Sequence, residues 1–257
     1  MSQYYFISGL PRSGTTLLST ILNQNPKFRA SISGPVARFA RAIVDQSSAM
    51  SGYRIECPTH KRKNIINGIF ENYYDDDDKE VFFDTNRGWG LMLPLLKDLF
   101  PYTKVIMCVR DIPWVLDSFE CLYRKNPYDK SLIIPEEYAT NVYSRSSYLM
   151  QESSVVGFAY LSLKQAITSQ EKDMLMLVEY EQLCKNPEGM MQAIYNFIDQ
   201  PLYEHDFNDT AASWPSYDEE VGIKGMHTTR KKVEWVEREM ILPPDIQHQF
   251  SNMEVWR

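Results

Sequence analysis

The sequence predicts an α/β fold: a P-loop-type parallel sheet flanked by helices on both faces, with a mostly helical and loop C-terminal segment. Three observations predict it. Apolar runs alternate with helix-patterned stretches along most of the chain, the order of βαβ units. The clearest run, Lys104-Val105-Ile106-Met107-Cys108-Val109, is continuous, as a strand buried on both faces requires. Residues 4–16 join a strand, a turn bracketed by Gly9 and Gly14, and a helix, the arrangement that cradles a phosphate. The 257 residues suffice for one domain over 1–257.

Each element follows from its local pattern. Residues 4–8 read as the first strand. Leu17, Leu18, Ile21 and Leu22 give helix 15–24 an apolar face, and Asn25-Pro26 stops it. Helices are expected at 35–48 and 60–73. Asp75-Asp76-Asp77-Asp78 reads as a solvated turn, because a tight cation site spaces its carboxylates. Val81-Phe82-Phe83 is a short strand ending at Asp84, followed by helix 89–99 and strand 104–109. Helix 112–123 tolerates Pro113 in its first turn. Helices 136–152 and 155–170, strand 174–178 and helix 188–199 follow. Beyond about residue 208 polar breaks predict loops and one or two helices. Ligands of such sheets sit at the strands' carboxyl ends. Residues 9–16 and 84–87, with Arg110, Glu179 and Tyr180, should therefore gather on one edge.

Composition is that of a soluble globular chain, 44% hydrophobic and 24% charged. A net charge of −7 argues against bulk attraction to nucleic acid or anionic membrane. An anionic ligand must be held by a local cluster of cations and N–H groups. Cys57, Cys108, Cys121 and Cys184 show neither C-x-x-C pairing nor metal-finger spacing and read as reduced thiols. No apolar run approaches the ~20 residues of a membrane span. The first strand begins almost at Met1, so no signal peptide is expected and the setting is read as cytoplasmic.

The glycine-bracketed loop has the G-x-x-x-x-G spacing, but Thr15 stands where a nucleotide-hydrolysing loop carries lysine. The nearby cation is Arg12. N–H groups of residues 13–16 should face an anion, with the helix dipole behind them and the Thr15 and Thr16 hydroxyls as added donors. Downstream, Arg110 leaves a buried strand and Ser118 lies two turns along the next helix. A guanidinium fork and a hydroxyl suit a second phosphate; an Arg paired with its neighbouring Asp fits the same spacing.

Taken together, Pro11-Arg12-Ser13-Gly14-Thr15-Thr16, Arg110 with Ser118, and Val178-Glu179-Tyr180-Glu181-Gln182-Leu183 before Asn186-Pro187-Glu188 resemble the sulfotransferase family. Tyrosylprotein and bacterial members are closer in style than the cytosolic steroid and phenol enzymes. The resemblance implies transfer of a sulfuryl group from 3′-phosphoadenosine-5′-phosphosulfate (PAPS) to a hydroxyl acceptor, with PAP as product and no metal. It implies that Arg12, Ser13, Gly14, Thr15 and Thr16 grip the 5′-phosphosulfate. Arg110 and Ser118 match the pair that binds the 3′-phosphate, and Tyr180 the aromatic near the adenine. Residues 225–231 resemble a loop closing over the cofactor, with Arg230 or Lys231 reaching a phosphate; a mobile basic surface loop fits the same residues.

The general base departs from the family pattern. Tyrosylprotein enzymes carry a glutamate about one helix beyond the loop, and the corresponding place here, near Ser33, has no carboxylate. Asp84 is the first candidate, since it ends a strand beside the loop; a structural pairing with Arg87 suits it equally. His60 and His227 are weaker candidates. Trp89, Trp114 and Tyr148 suit either an acceptor cleft or the core. Two other functions use the same residues. A kinase or nucleotide hydrolase would read Val81-Phe82-Phe83-Asp84 as a magnesium-binding strand end. A non-catalytic relative would keep the pocket and lack the base.

Overall fold

The computed structural model describes residues 2–48, 52–75 and 78–257; Asp76 and Asp77 of the acidic turn lie outside them. Among the described residues the chain runs β1 (Gln3–Gly9), α1 (Thr15–Leu22), β2 (Phe28–Ala30), α2 (Val36–Ser48), α3 (Tyr53–Glu56), α4 (Thr59–Tyr73) and β3 (Val81–Thr85). It continues through a 3-10 turn (Arg87–Leu91), α5 (Leu93–Leu99), β4 (Val105–Val109) and α6 (Ile112–Lys125). A second 3-10 turn (Glu136–Tyr138) precedes α7 (Val142–Leu149) and α8 (Val155–Ile167). A third (Lys172–Met174) leads into β5 (Leu175–Glu179), then α9 (Tyr180–Lys185), α10 (Pro187–Phe197), α11 (Pro215–Val221) and α12 (Pro244–Gln249).

The five strands form one parallel sheet in the order β2-β3-β1-β4-β5. Side chains alternate between its faces. Phe6, Phe82, Val105, Met107 and Val109 face one core, packed by α2, α4, α5, α6 and α8. Tyr5, Ile7, Phe83, Ile106 and Cys108 face the other, packed by α1 and α10. Both layers are apolar, so the inner strands β3 and β4 are closed to water on both sides, which accounts for their unbroken apolar runs.

This strand order fixes where a ligand can enter. The chain leaves β1 toward β2 and leaves β4 in the opposite direction toward β5. The two loops part at the carboxyl ends of adjacent strands, opening a crevice there. β1 and β4 are held in register from Phe6↔Val105 to Gly9↔Cys108. A Cβ on Gly9 would sit 2.1 Å from the Cys108 carbonyl oxygen, and Gly9 has φ +118. Only glycine fits where the loop turns away from the sheet.

Three local readings are corrected. β2 is a strand of three residues on the sheet edge, too short to give a periodic signal. The helix expected over 136–152 begins at Val142, because the Asn141 side chain caps it by accepting from Ser144 N at 2.9 Å. The stretch 89–99 divides into a 3-10 turn capped by Asn86 and a helix with Pro94 in its first turn.

Candidate active site

The loop after β1 is shaped by three backbone choices. Gly9, Arg12 and Gly14 all have positive φ, at 118, 59 and 93. Arg12 is not a glycine, so its conformation costs energy that its contacts must offset. Gly14 caps α1 without a side chain bond, and no acidic residue occupies the helix's first turn. The first N–H groups of α1 are thus left for an outside anion. A Cβ on Gly14 would lie 2.8 Å from Tyr180 Cδ2, so glycine also lets α9 approach the loop.

Ser13 does not present its hydroxyl to this site. It is fully buried, and its Oγ lies 2.9 Å from the Cys108 carbonyl and 2.5 Å from that of Leu10. Its contribution to an anion is confined to the backbone. Thr15 and Thr16, by contrast, line a cleft of about 210 Å³ at the crevice between β1 and β4.

Arg12 enters the same cleft. Its Nε donates to Ser118 Oγ at 3.0 Å, and Nη1 donates to the carbonyl of Met226. Burial, then the charge of Arg110, lower its pKa to about 10, so it stays cationic at neutral pH. Arg110 arrives from the end of β4 and donates through Nη1 to the Arg12 carbonyl at 3.2 Å. Its guanidinium lies 4.4 Å from the Tyr180 ring centre and 5.6 Å from that of Trp114. Arg110 Nε is buried and has no hydrogen-bond partner. The alternative pairing of Arg110 with Asp111 is not what forms: Asp111 faces Arg257, at 3.4 Å.

The C-terminal segment completes the cleft. Arg230 lines it, whereas Lys231 is exposed and outside it; Lys232 lines it instead. Arg238 also lines it, 4.9 Å from the Trp114 ring centre and paired with the fully buried Asp117. Trp235 adds a second aromatic, 6.1 Å from Tyr180. Residues 225–231 are pinned at both ends. Asp218 accepts from the N–H groups of Gly225 and His227, while Thr229 N donates to the Ala212 carbonyl and Thr210 N to that of Lys231. Arg238 and Trp235 escaped the sequence reading; the available signal was four cations around one tryptophan over 230–238, in a stretch with no strand pattern to place it.

Asp84 requires correction. It is sealed in the core, 1% exposed, accepting from Tyr74 Oη at 2.8 Å and Trp89 Nε1 at 2.7 Å. Its side chain follows Phe82 onto the face covered by α2 and α4, where Tyr74 and Trp89 enclose it. Its partners are those two donors rather than Arg87. Trp89 is therefore core, Trp114 stacks with cations on the cleft side, and Tyr148 packs against Tyr138. His60 is exposed on α4. Among the described residues no three His, Cys, Asp or Glu side chains gather as metal ligands.

The sheet order, the glycine-turned loop and the converging guanidinium groups define a P-loop-type α/β protein with cations gathered at the carboxyl edge of its sheet. The family model described as "Sulfotransferase family" matches residues 5–205, and the chain belongs to that family. It is 24% identical over 214 residues to "Protein-tyrosine sulfotransferase A" of Caenorhabditis elegans, covering 78% of this chain but 50% of the worm protein. The chain thus spans about half the length of that curated relative. Among solved structures, the sulfotransferase from Alicyclobacillus acidocaldarius superposes with a TM-score of 0.54 at 16% identity, over 86% of this chain and 89% of its own. Retinol dehydratase in complex with retinol and PAP gives 0.54 at 14% identity, over 97% and 79%. At these identities the two structures share the fold.

Proposed function

We propose that this chain, folded as one domain over 1–257, is a PAPS-dependent sulfotransferase acting on a hydroxyl acceptor. The observation that carries the reading is the meeting of Arg12, Ser118 and Arg110 at the crevice between β1 and β4, beside an uncapped helix N-terminus. PAP bound to a protein of the same fold supports the choice of nucleotide. The residues fit it: Arg110, whose buried Nε has no partner, lines the cleft with Ser118 and Tyr180, and Gly14 keeps the loop open where a Cβ would strike Tyr180.

When bound, PAPS supplies an activated sulfuryl group. The backbone N–H groups of Ser13 and Gly14, with Thr15, Thr16 and Arg12, hold the 5′-phosphosulfate. Arg110 and Ser118 hold the 3′-phosphate, Tyr180 lies near the adenine, and Arg230, with Lys232 in place of Lys231, closes the cleft. Arg12 is oriented by Ser118 and the Met226 carbonyl before any ligand arrives. It presents fixed positive charge where the leaving phosphate oxygen becomes more negative, which is how a preorganised site lowers a transfer barrier. Transfer is metal-independent in this account and survives chelator. The four free thiols suit a reducing, cytoplasmic setting.

The worm relative's name makes a protein tyrosine the first acceptor to try. Incubation with labelled PAPS, pooled peptide and small-molecule acceptors, and EDTA tests the reading. Label moving to an acceptor supports it; nucleotide binding with no transfer to any acceptor would identify a non-catalytic relative.

A further inference from the structure

Resting on the sulfotransferase reading, we propose that His227, oriented by Asp218, is the general base that takes the proton of the acceptor hydroxyl. Asp218, on α11, is 6% exposed and collects three N–H donors. Gly225 N donates to Oδ2 at 2.8 Å, and His227 N donates to Oδ1 at 2.9 Å. His227 Nδ1 lies 2.9 Å from the same Oδ1. A carboxylate in that position fixes the proton on Nδ1 and leaves the Nε2 lone pair free. Nε2 has no hydrogen-bond partner among the described residues and is not sealed from solvent.

The ring's location suits an acceptor. Met226 and Thr228 line the nucleotide cleft, while His227 between them does not, and Arg12, which lines that cleft and holds the Met226 carbonyl, is close enough to act on the His227 charge. Its ring centre is 5.8 Å from that of Tyr217, whose hydroxyl donates to the Ser33 carbonyl at 3.2 Å. The C-terminal segment therefore delivers an imidazole to the neighbourhood of Ser33, where the family resemblance called for a carboxylate and the chain has none. Asp84, the other candidate, is enclosed by Tyr74 and Trp89.

The titratable and charged groups facing the ring are Asp218 and Tyr217 from α11, Arg12 from the loop and Arg87 from the turn after β3. Burial lowers the histidine pKa and the two arginines add to this, against Asp218. The ring is then neutral, and able to accept a proton, at neutral pH. In the step, Nε2 takes the hydroxyl proton and that oxygen's electron pair forms the new S–O bond. The S–O bond to the 5′-phosphate breaks, leaving its electrons on the phosphate oxygen beside Arg12. The imidazolium returns its proton to water.

Long-range ¹H–¹⁵N spectra of the full chain, with His227→Gln assigning the signal among four histidines, read the tautomer directly. The expected result is a neutral Nδ1-protonated ring with a midpoint below 6.5. In Asp218→Asn the Nε2-protonated form should gain population. The acid limb of kcat/KM should follow the same midpoint. His227→Gln should lower kcat by about a hundredfold or more, with PAP affinity unchanged. An Nε2-protonated wild-type ring, full turnover in His227→Gln, or an equal loss of PAP affinity would each overturn the assignment. If His227→Gln does not fold, the wild-type tautomer and pH profile still decide. Wild-type protein that binds no PAP would instead bring down the sulfotransferase reading itself.

Discussion

The Nε of Arg12 donates to the Oγ of Ser118 at 3.0 Å, joining residues 106 positions apart. That bond links the loop after β1 to the second turn of α6, so the two sites proposed for the phosphates are built as one unit. Arg12 also holds the Met226 carbonyl, which ties the C-terminal segment to the same point. Replacing Arg12 by alanine should cut sulfuryl transfer by more than tenfold, about 2–4 kcal/mol of transition-state stabilisation. Steady-state kinetics would show it, and wild-type turnover would remove Arg12 from the mechanism.

Arg110 makes a narrower prediction. If the Arg110 guanidinium, which lines the cleft, holds the 3′-phosphate, Arg110→Ala should weaken PAP binding by about tenfold to a hundredfold, the value of a charge-assisted hydrogen bond. Affinity for the analogue without a 3′-phosphate should hardly change. Calorimetry with both ligands separates this from general damage to the cleft.

Asp84 is expected to matter for stability, not turnover. Asp84→Ala strands Tyr74 Oη and Trp89 Nε1 in the core and should cost about 2–5 kcal/mol. Chemical denaturation measures this, and the surviving folded fraction should bind PAP as the wild type does. Loss of transfer in Asp84→Asn at an unchanged unfolding midpoint would return Asp84 to the chemistry.

His205 gives a pH prediction of its own. Burial lowers its pKa, its Nδ1 has no partner, and its Nε2 meets the Tyr195 hydroxyl at 3.1 Å. A histidine depressed in the folded state contributes stability that is present above its unfolded pKa and is lost as pH falls below it. Unfolding free energy should therefore decline below pH 6.5. His205→Gln should flatten that decline.

Much of this architecture is legible in the chain because burial on both faces writes continuous apolar runs, as at 104–109. The loop was legible too, since Gly9 and Gly14 are required by positive φ and by close approach to Cys108 and Tyr180. β2 was not, because three edge residues carry no period. Asp84 misled because a strand's end says which edge it reaches but not whether distant side chains, here Tyr74 and Trp89, close over it. Arg238 and the His227–Asp218 pair are contacts across an irregular segment, and their partners are set by tertiary packing alone.

The most direct measurement compares ligands by thermal shift. With EDTA present, PAP should raise the melting temperature markedly, and ATP with or without Mg²⁺ should do little. Equal or greater stabilisation by ATP with Mg²⁺ would contradict the account and point to a kinase or nucleotide hydrolase.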